Sequence, residues 1–246
     1  MSILKKQTEI EKRQTEDKKS GNLLCENMNF ASSEAFKKLR SNLMFSFPGD
    51  GLSKVICVTS PDPVNGKSMV AINLAYSFAE LNKKVLLIDA DMRLASIHTK
   101  LDLDIAPGLS NALSRNKSEG KLAKKYSGGG VEFSVMTAGD SCPNPMELLA
   151  SENMKNLLNS LKELFDYVII DTPPIGAVGD AQVISKLTDG TVLVVRSGKC
   201  SKGRLLSCIR ELKLAEVKIL GFVLNGAGNV KSKNSSYSGG YYYYSN

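Results

Sequence analysis

Six short apolar runs, separated by stretches of helical spacing, limit this chain more than any other feature. KVICVTS (54–60), KVLLID (84–89), VEFSVMTA (131–138), YVIID (167–171), TVLVV (191–195) and VKILGFVLN (217–225) are rich in β-branched residues. Most do not alternate apolar with polar, so each strand must be buried on both faces. Residues 68–81, 151–165, 180–187 and 202–213 read as the intervening helices. Strands that alternate with helices form a mostly parallel sheet covered by helices on both faces. In such sheets ligands bind beyond the C-terminal strand ends.

Composition agrees with a folded α/β domain. Of 246 residues, 42% are hydrophobic, 7% aromatic and none Trp, which excludes collagen-like, coiled-coil and wholly disordered chains. Residues 1–20 carry six Lys/Arg against four Asp/Glu and read, with the rest of 1–29, as a flexible arm. A helix begins near Ser33, with Ser32 or Ser33 as its cap and Phe36, Leu39 and Leu43 on one face. Gly128-Gly129-Gly130 reads as a flexible break. The net charge of +7 comes with no dense basic stripe, which favours solubility as its role over contact with an acidic membrane face or nucleic acid. Five cysteines without a CxxC pair and no signal peptide suggest reduced thiols in the cytoplasm. No run approaches the roughly 18 apolar residues of a membrane span. Any membrane role is therefore expected to come through a partner.

Three strand ends carry chemistry. Strand 54–60 runs into Pro61-Asp62-Pro63-Val64-Asn65-Gly66-Lys67-Ser68 and then a helix. This is a Walker A-like arrangement, in which backbone N–H groups and a lysine meet phosphates and a hydroxyl meets Mg²⁺. Pro61 stands where the strict pattern has Gly, and a Gly-Lys-Ser tripeptide alone also occurs in simple turns. The segment 85–93 puts Asp89 and Asp91 at a strand end. Two acids there suit a hydrated metal or a proton acceptor, and equally a capped loop with solvated carboxylates. The third strand ends in Asp171, like a Walker B acid, before Thr172-Pro173-Pro174. Together the three make nucleotide binding the leading reading. His98 reads as structural or solvent-exposed.

Over about residues 30–246 the chain resembles bacterial tyrosine kinases of the capsular and exopolysaccharide biosynthesis type. The marks are Ser60-Pro61 leading into Gly66-Lys67-Ser68, Ile88-Asp89-Ala90-Asp91-Met92-Arg93, and Ile169-Ile170-Asp171-Thr172-Pro173-Pro174. A cluster of five of the eight tyrosines at Tyr237, Tyr241, Tyr242, Tyr243 and Tyr244 joins them. Related partition and cell-division ATPases carry a lysine where this chain has Asp62, and they lack the tyrosine tail.

The resemblance implies a P-loop NTPase-like kinase domain at 30–225 and a disordered tyrosine-rich tail at 226–246. It implies ATP- and Mg²⁺-dependent autophosphorylation of the tail tyrosines, in the regulation of capsular or exopolysaccharide synthesis and export. Lys67, Asp89, Asp91 and Asp171 are the implied catalytic residues. Val64, Asn65, Gly66, Lys67, Ser68 and Met69 would cradle the nucleotide, with Asn225 at the adenine. Ser68, Asp91 and Asp171 would hold the metal. Arg93 is a candidate for tail contact or a surface salt bridge.

The implied partners are a transmembrane activator of the chain-length-regulator type, acting through its cytoplasmic tail, and a cognate tyrosine phosphatase. That activator would recruit a cytoplasmic protein to the inner membrane face. A homo-oligomer, with a ring as one form, would assemble through Glu34, Lys37 and Arg40. Lys37 departs there from the family's arginine and loses its bidentate fork. Val64-Asn65 departs where the family shows Gly and a small or acidic residue, and valine resists positive φ. A partition-type ATPase switch and a non-catalytic adaptor are the alternative readings.

Overall fold

The computed structural model describes Leu23 and residues 28–47, 53–114 and 120–227. The tail tyrosines and most of the expected N-terminal arm lie outside the described residues. The elements are α1 (Phe30–Phe45), β1 (Lys54–Thr59), α2 (Lys67–Ala79), β2 (Val85–Asp89), α3 (Ile97–Leu101), α4 (Leu109–Leu113), β3 (Lys124–Gly128), β4 (Val131–Met136), α5 (Pro145–Leu149), α6 (Glu152–Leu164), β5 (Tyr167–Asp171), α7 (Asp180–Lys186), β6 (Gly190–Arg196), α8 (Lys202–Leu214) and β7 (Ile219–Asn225).

One sheet of seven strands runs in the order β3-β4-β2-β5-β1-β6-β7, and only β3 is antiparallel to its neighbour. All six expected strands are present. Their continuous apolar character has a direct cause. Ile56, Val58, Val85, Leu87 and Ile169 face the core beneath α1 and α2. The alternate residues Val55, Cys57, Leu86, Ile88, Val168 and Ile170 face the opposite core with α4, α6 and α7. A third cluster joins Leu193 of β6 to Cys208 and Leu212 of α8. In the inner strands burial on both faces leaves no solvated side to carry polar residues, whereas the edge strand β7 exposes Phe222 and Leu224.

Three local expectations are corrected. Asn29, not Ser32 or Ser33, caps α1, because its side chain accepts the Ser32 N–H at 2.9 Å while both serines lie in the first turn. The glycine stretch at 128–130 is a tight hairpin. Gly128 pairs with Val131, and Gly129 and Gly130 take φ of 57° and 79°, the left-handed pair that a two-residue turn requires. The hairpin creates β3, a strand read as irregular chain because its edge position suits lysines. Leu23, in the stretch expected to be a free arm, is 5% exposed within the α1–α2 core.

β1, β5 and β2 are adjacent, and Asp89 and Asp171 are register partners. This puts all three motif segments side by side at one end of the sheet centre.

Candidate active site

The phosphate loop is shaped by buried polar contacts. Ser60 Oγ and Asn65 Nδ2 both donate to the Asp62 carbonyl at 2.7 Å. Asn65 is 2% exposed, and its Oδ1 accepts the Arg196 N–H at 2.8 Å. Arg196 Nη1 reaches the Val64 carbonyl at 3.2 Å, and Asn225 Nδ2 donates to the Asn65 carbonyl at 2.9 Å. Val64 takes φ of 64° despite its branched side chain, which is 80% exposed. Gly66, φ 84°, ends the loop, and any Cβ there would collide with the Asn225 amide. No side chain caps α2, and no acid sits in its first turn. Its opening N–H groups, at Lys67, Ser68 and Met69, therefore present a positive helix end to an anion.

Lys67 bends over the acids. Its Nζ lies 3.0 Å from Asp91 Oδ2 and 3.9 Å from Asp171 Oδ2. Burial alone would lower its pKa, but Asp171 and Asp91 outweigh burial and raise it. Asp89 is fully buried, and burial, aided by Asp171, pushes its pKa up to about 7. Its Oδ1 accepts from Asp91 N–H, and Oδ2 from the N–H groups of Ser96 and Ile97, each at 3.1 Å. Asp91 Oδ1 accepts the Leu94 N–H at 3.0 Å. The paired acids thus shape the loop that follows them, and neither is solvated.

Asp171 is the outlier. It is fully buried, yet neither carboxylate oxygen has a hydrogen-bond partner. Burial raises its pKa, opposed by Lys67. Ser68, 7% exposed, is hydrogen-bonded from Ser96 Oγ at 3.3 Å. An orphaned buried carboxylate beside a buried hydroxyl fits a hydrated Mg²⁺, which takes few protein ligands and completes its shell with water and phosphate. No group of three or more His, Cys, Asp or Glu suited to a metal occurs among the described residues, so a dedicated protein cage is not what this site offers.

Other expected residues lie elsewhere. Arg93 forks onto Asp180 at 2.8 and 3.2 Å and ties the loop after β2 to the start of α7. Glu34 and Lys37 pair with each other on α1 at 2.7 Å. Arg40 turns inward to the Ser77 carbonyl and to Glu80. His98 is half-buried, with its Nε2 against Thr99 Oγ1 at 3.0 Å. Sequence reasoning missed Ser96, Arg196 and Asp180. Each meets its partner across the fold, so no local spacing marks it.

Among the described residues no helix is long and apolar enough to cross a membrane. The AAA domain family matches residues 53–215. Tyrosine-protein kinase YwqD of Bacillus subtilis is 40% identical over 211 residues, covering 86% of each chain. The putative tyrosine-protein kinase CapB of Staphylococcus aureus is 38% identical over 86% of this chain and 90% of its own. The solved kinase domain of Escherichia coli tyrosine kinase ETK superposes with a TM-score of 0.76 at 34% identity, over 85% of this chain and 80% of that one. In the curated full-length E. coli etk the matching part is 28% of the protein. With the P-loop lysine at the start of α2 and acids at the ends of the adjacent strands β2 and β5, the chain belongs to the bacterial tyrosine-protein kinases of the capsular and exopolysaccharide type.

Proposed function

We propose that this kinase transfers the terminal phosphoryl group of ATP to its own C-terminal tyrosines, Tyr237, Tyr241, Tyr242, Tyr243 and Tyr244. The observation that carries the reading is the fully buried Asp171 carboxylate, which accepts no hydrogen bond and faces Lys67 at 3.9 Å beside the phosphate loop. Backbone N–H groups of residues 64–69 would hold the phosphates, and Asn225 would lie at the base. Lys67 would leave Asp91 for the β/γ oxygens. Ser68, Asp91 and Asp171 would hold Mg²⁺, directly or through water, and the bound ion supplies positive charge against the transferring group.

Tyrosine ionises near pH 10, so a proton acceptor assists attack at neutral pH. Asp89, buried beside these groups, is assigned that role. The new bond joins the tyrosine oxygen to the γ-phosphorus, the bond to the β-bridging oxygen breaks, and ADP leaves. Five phosphates would add about −7.5 to −10 of charge to the tail. A transmembrane activator would recruit the kinase to the inner membrane face and switch it on. A cognate phosphatase would reset it, and the α1 residues Glu34 and Lys37 are left for contacts between subunits.

Incubation with ATP–Mg²⁺ and an activator's cytoplasmic segment, followed by phosphotyrosine mapping, tests this. Label is expected on the tail, lost with Lys67→Met and largely lost with Phe at all five positions. An intact chain without phosphotyrosine would refute the reading and favour a non-catalytic adaptor.

A further inference from the structure

Asp62 is the loop residue that no phosphate-binding role absorbs. Its carboxylate accepts from Arg204 Nε at 2.8 Å, and the two residues lie 142 positions apart in the chain. The same guanidinium donates through Nη2 to the Gly176 carbonyl at 2.9 Å. Gly176 belongs to the loop that follows Asp171. That loop is zipped to the phosphate loop by backbone bonds, Ile175 N–H to Ser60 O at 3.0 Å and Gly176 N–H to Pro61 O at 3.3 Å. A side chain at 176 has no room, because a Cβ would strike the Arg204 guanidinium and the Pro61 carbonyl. Arg204 is itself anchored, its N–H donating to Ser201 Oγ, the cap of α8, at 3.2 Å.

We infer that Arg204 is a positioning residue for phosphoryl transfer, stapling the phosphate loop through Asp62 to the loop after Asp171 through Gly176. The inference rests on the kinase reading above for its consequence, not for its geometry. The staple fixes Lys67 and Ser68, where the phosphate loop enters α2, against Asp171, where β5 ends and the other loop begins. A planar fork serves the two acceptors through separate nitrogens held in a fixed geometry, whereas an ammonium gathers all its donors on one atom. The bland alternative is an ordinary surface pair, since both side chains are 37% exposed and such pairs contribute little. The two accounts differ in what they predict. A surface pair has no effect on the metal-dependent part of nucleotide binding.

The test uses the full chain, with Arg204→Met, Arg204→Lys and Asp62→Asn. A fluorescent ADP analogue is titrated with and without Mg²⁺, and kcat and KM for ATP are measured in parallel. The phosphate cradle is braced independently by Arg196 and Asn225, so ADP affinity without Mg²⁺ should stay within about twofold. The tightening that Mg²⁺ brings to wild type should be mostly lost in Arg204→Met. Its kcat should fall about tenfold with little change in KM, and Arg204→Lys should not restore it. Asp62→Asn should fall between. Unchanged Mg²⁺-dependent tightening in a folded Arg204→Met protein overturns the inference, as does full rescue by lysine. An equal loss of ADP affinity with and without Mg²⁺ also overturns it, since that marks a collapsed loop. The ADP titration needs no tyrosine transfer. Failure of the kinase reading would show as absent phosphotyrosine in wild type, with the titration still decisive for the staple.

Discussion

Val64 offers a sharp test of the phosphate loop's conformation. Its φ of 64° places an L-residue in the left-handed region, at a cost of roughly 1–2 kcal/mol. β-branching puts valine at the upper end of that range. With the side chain 80% exposed, shortening it sacrifices almost no burial. Glycine escapes the strain but loses about 0.5–1 kcal/mol of backbone entropy on folding. Val64→Gly should therefore be stabilising, by about 1–1.5 kcal/mol. Alanine keeps the Cβ and most of the strain.

The sign of the difference between the two variants decides the matter. At a left-handed position glycine should exceed alanine by about 1 kcal/mol, whereas at an ordinary position alanine exceeds glycine by about 0.5–1 kcal/mol. Urea unfolding with unchanged m-values would read the gap as about 0.3–0.7 M in midpoint. Val64→Asn gives a third point, since asparagine tolerates this region and should rank near glycine or above it. If Val64→Ala proves more stable than Val64→Gly, the loop does not hold this residue left-handed and the reasoning fails.

Three further outcomes follow from packing and charge. Leu23→Ala should cost about 2–4 kcal/mol in denaturant unfolding, because the side chain is 5% exposed in the core beside α1 and α2, and a change below about 0.5 kcal/mol would show that it is free. Arg93→Met strands the fully buried Asp180 carboxylate and should cost about 2 kcal/mol after allowance for the arginine's exposure, with Asp180→Asn in the same background recovering most of it. Burial pushes the thiols of Cys57 and Cys208 up to about 11 and about 12, so mass mapping after iodoacetamide at pH 8 should find both unmodified until the chain is unfolded.

The sheet was legible because burial on both faces writes itself as continuous apolar runs. The three motif segments were legible because each couples a strand end to a residue type with little other use there. β3 was not, since Lys124 and Lys125 give it the polar character of an edge. Strand order was not legible either. Without it, sequence spacing alone could not bring Asp89 and Asp171 into register, although they lie 82 residues apart in the chain and share one ladder.

The phosphate loop shows the deeper limit. Measured against the family pattern, Val64 and Asn65 are departures that suggest a weakened site, while Asp62 marks the chain off from the partition ATPases. In the fold each has a brace from the far side of β1. Asp62 meets Arg204 of α8, the Val64 carbonyl meets Arg196 of β6, and Asn65 meets both Arg196 and Asn225 of β7. The loop is thus specified from β6, α8 and β7 as well as by its own residues, through separate braces on its two halves. Changes at 62, 64 or 65 should then be non-additive with changes at 204, 196 and 225, by the 0.5–3 kcal/mol typical of residues in one network. A loop restored to the family pattern at 64 and 65 would keep both backbone carbonyls but remove Asn65 Oδ1, leaving the Arg196 N–H without the acceptor it now holds.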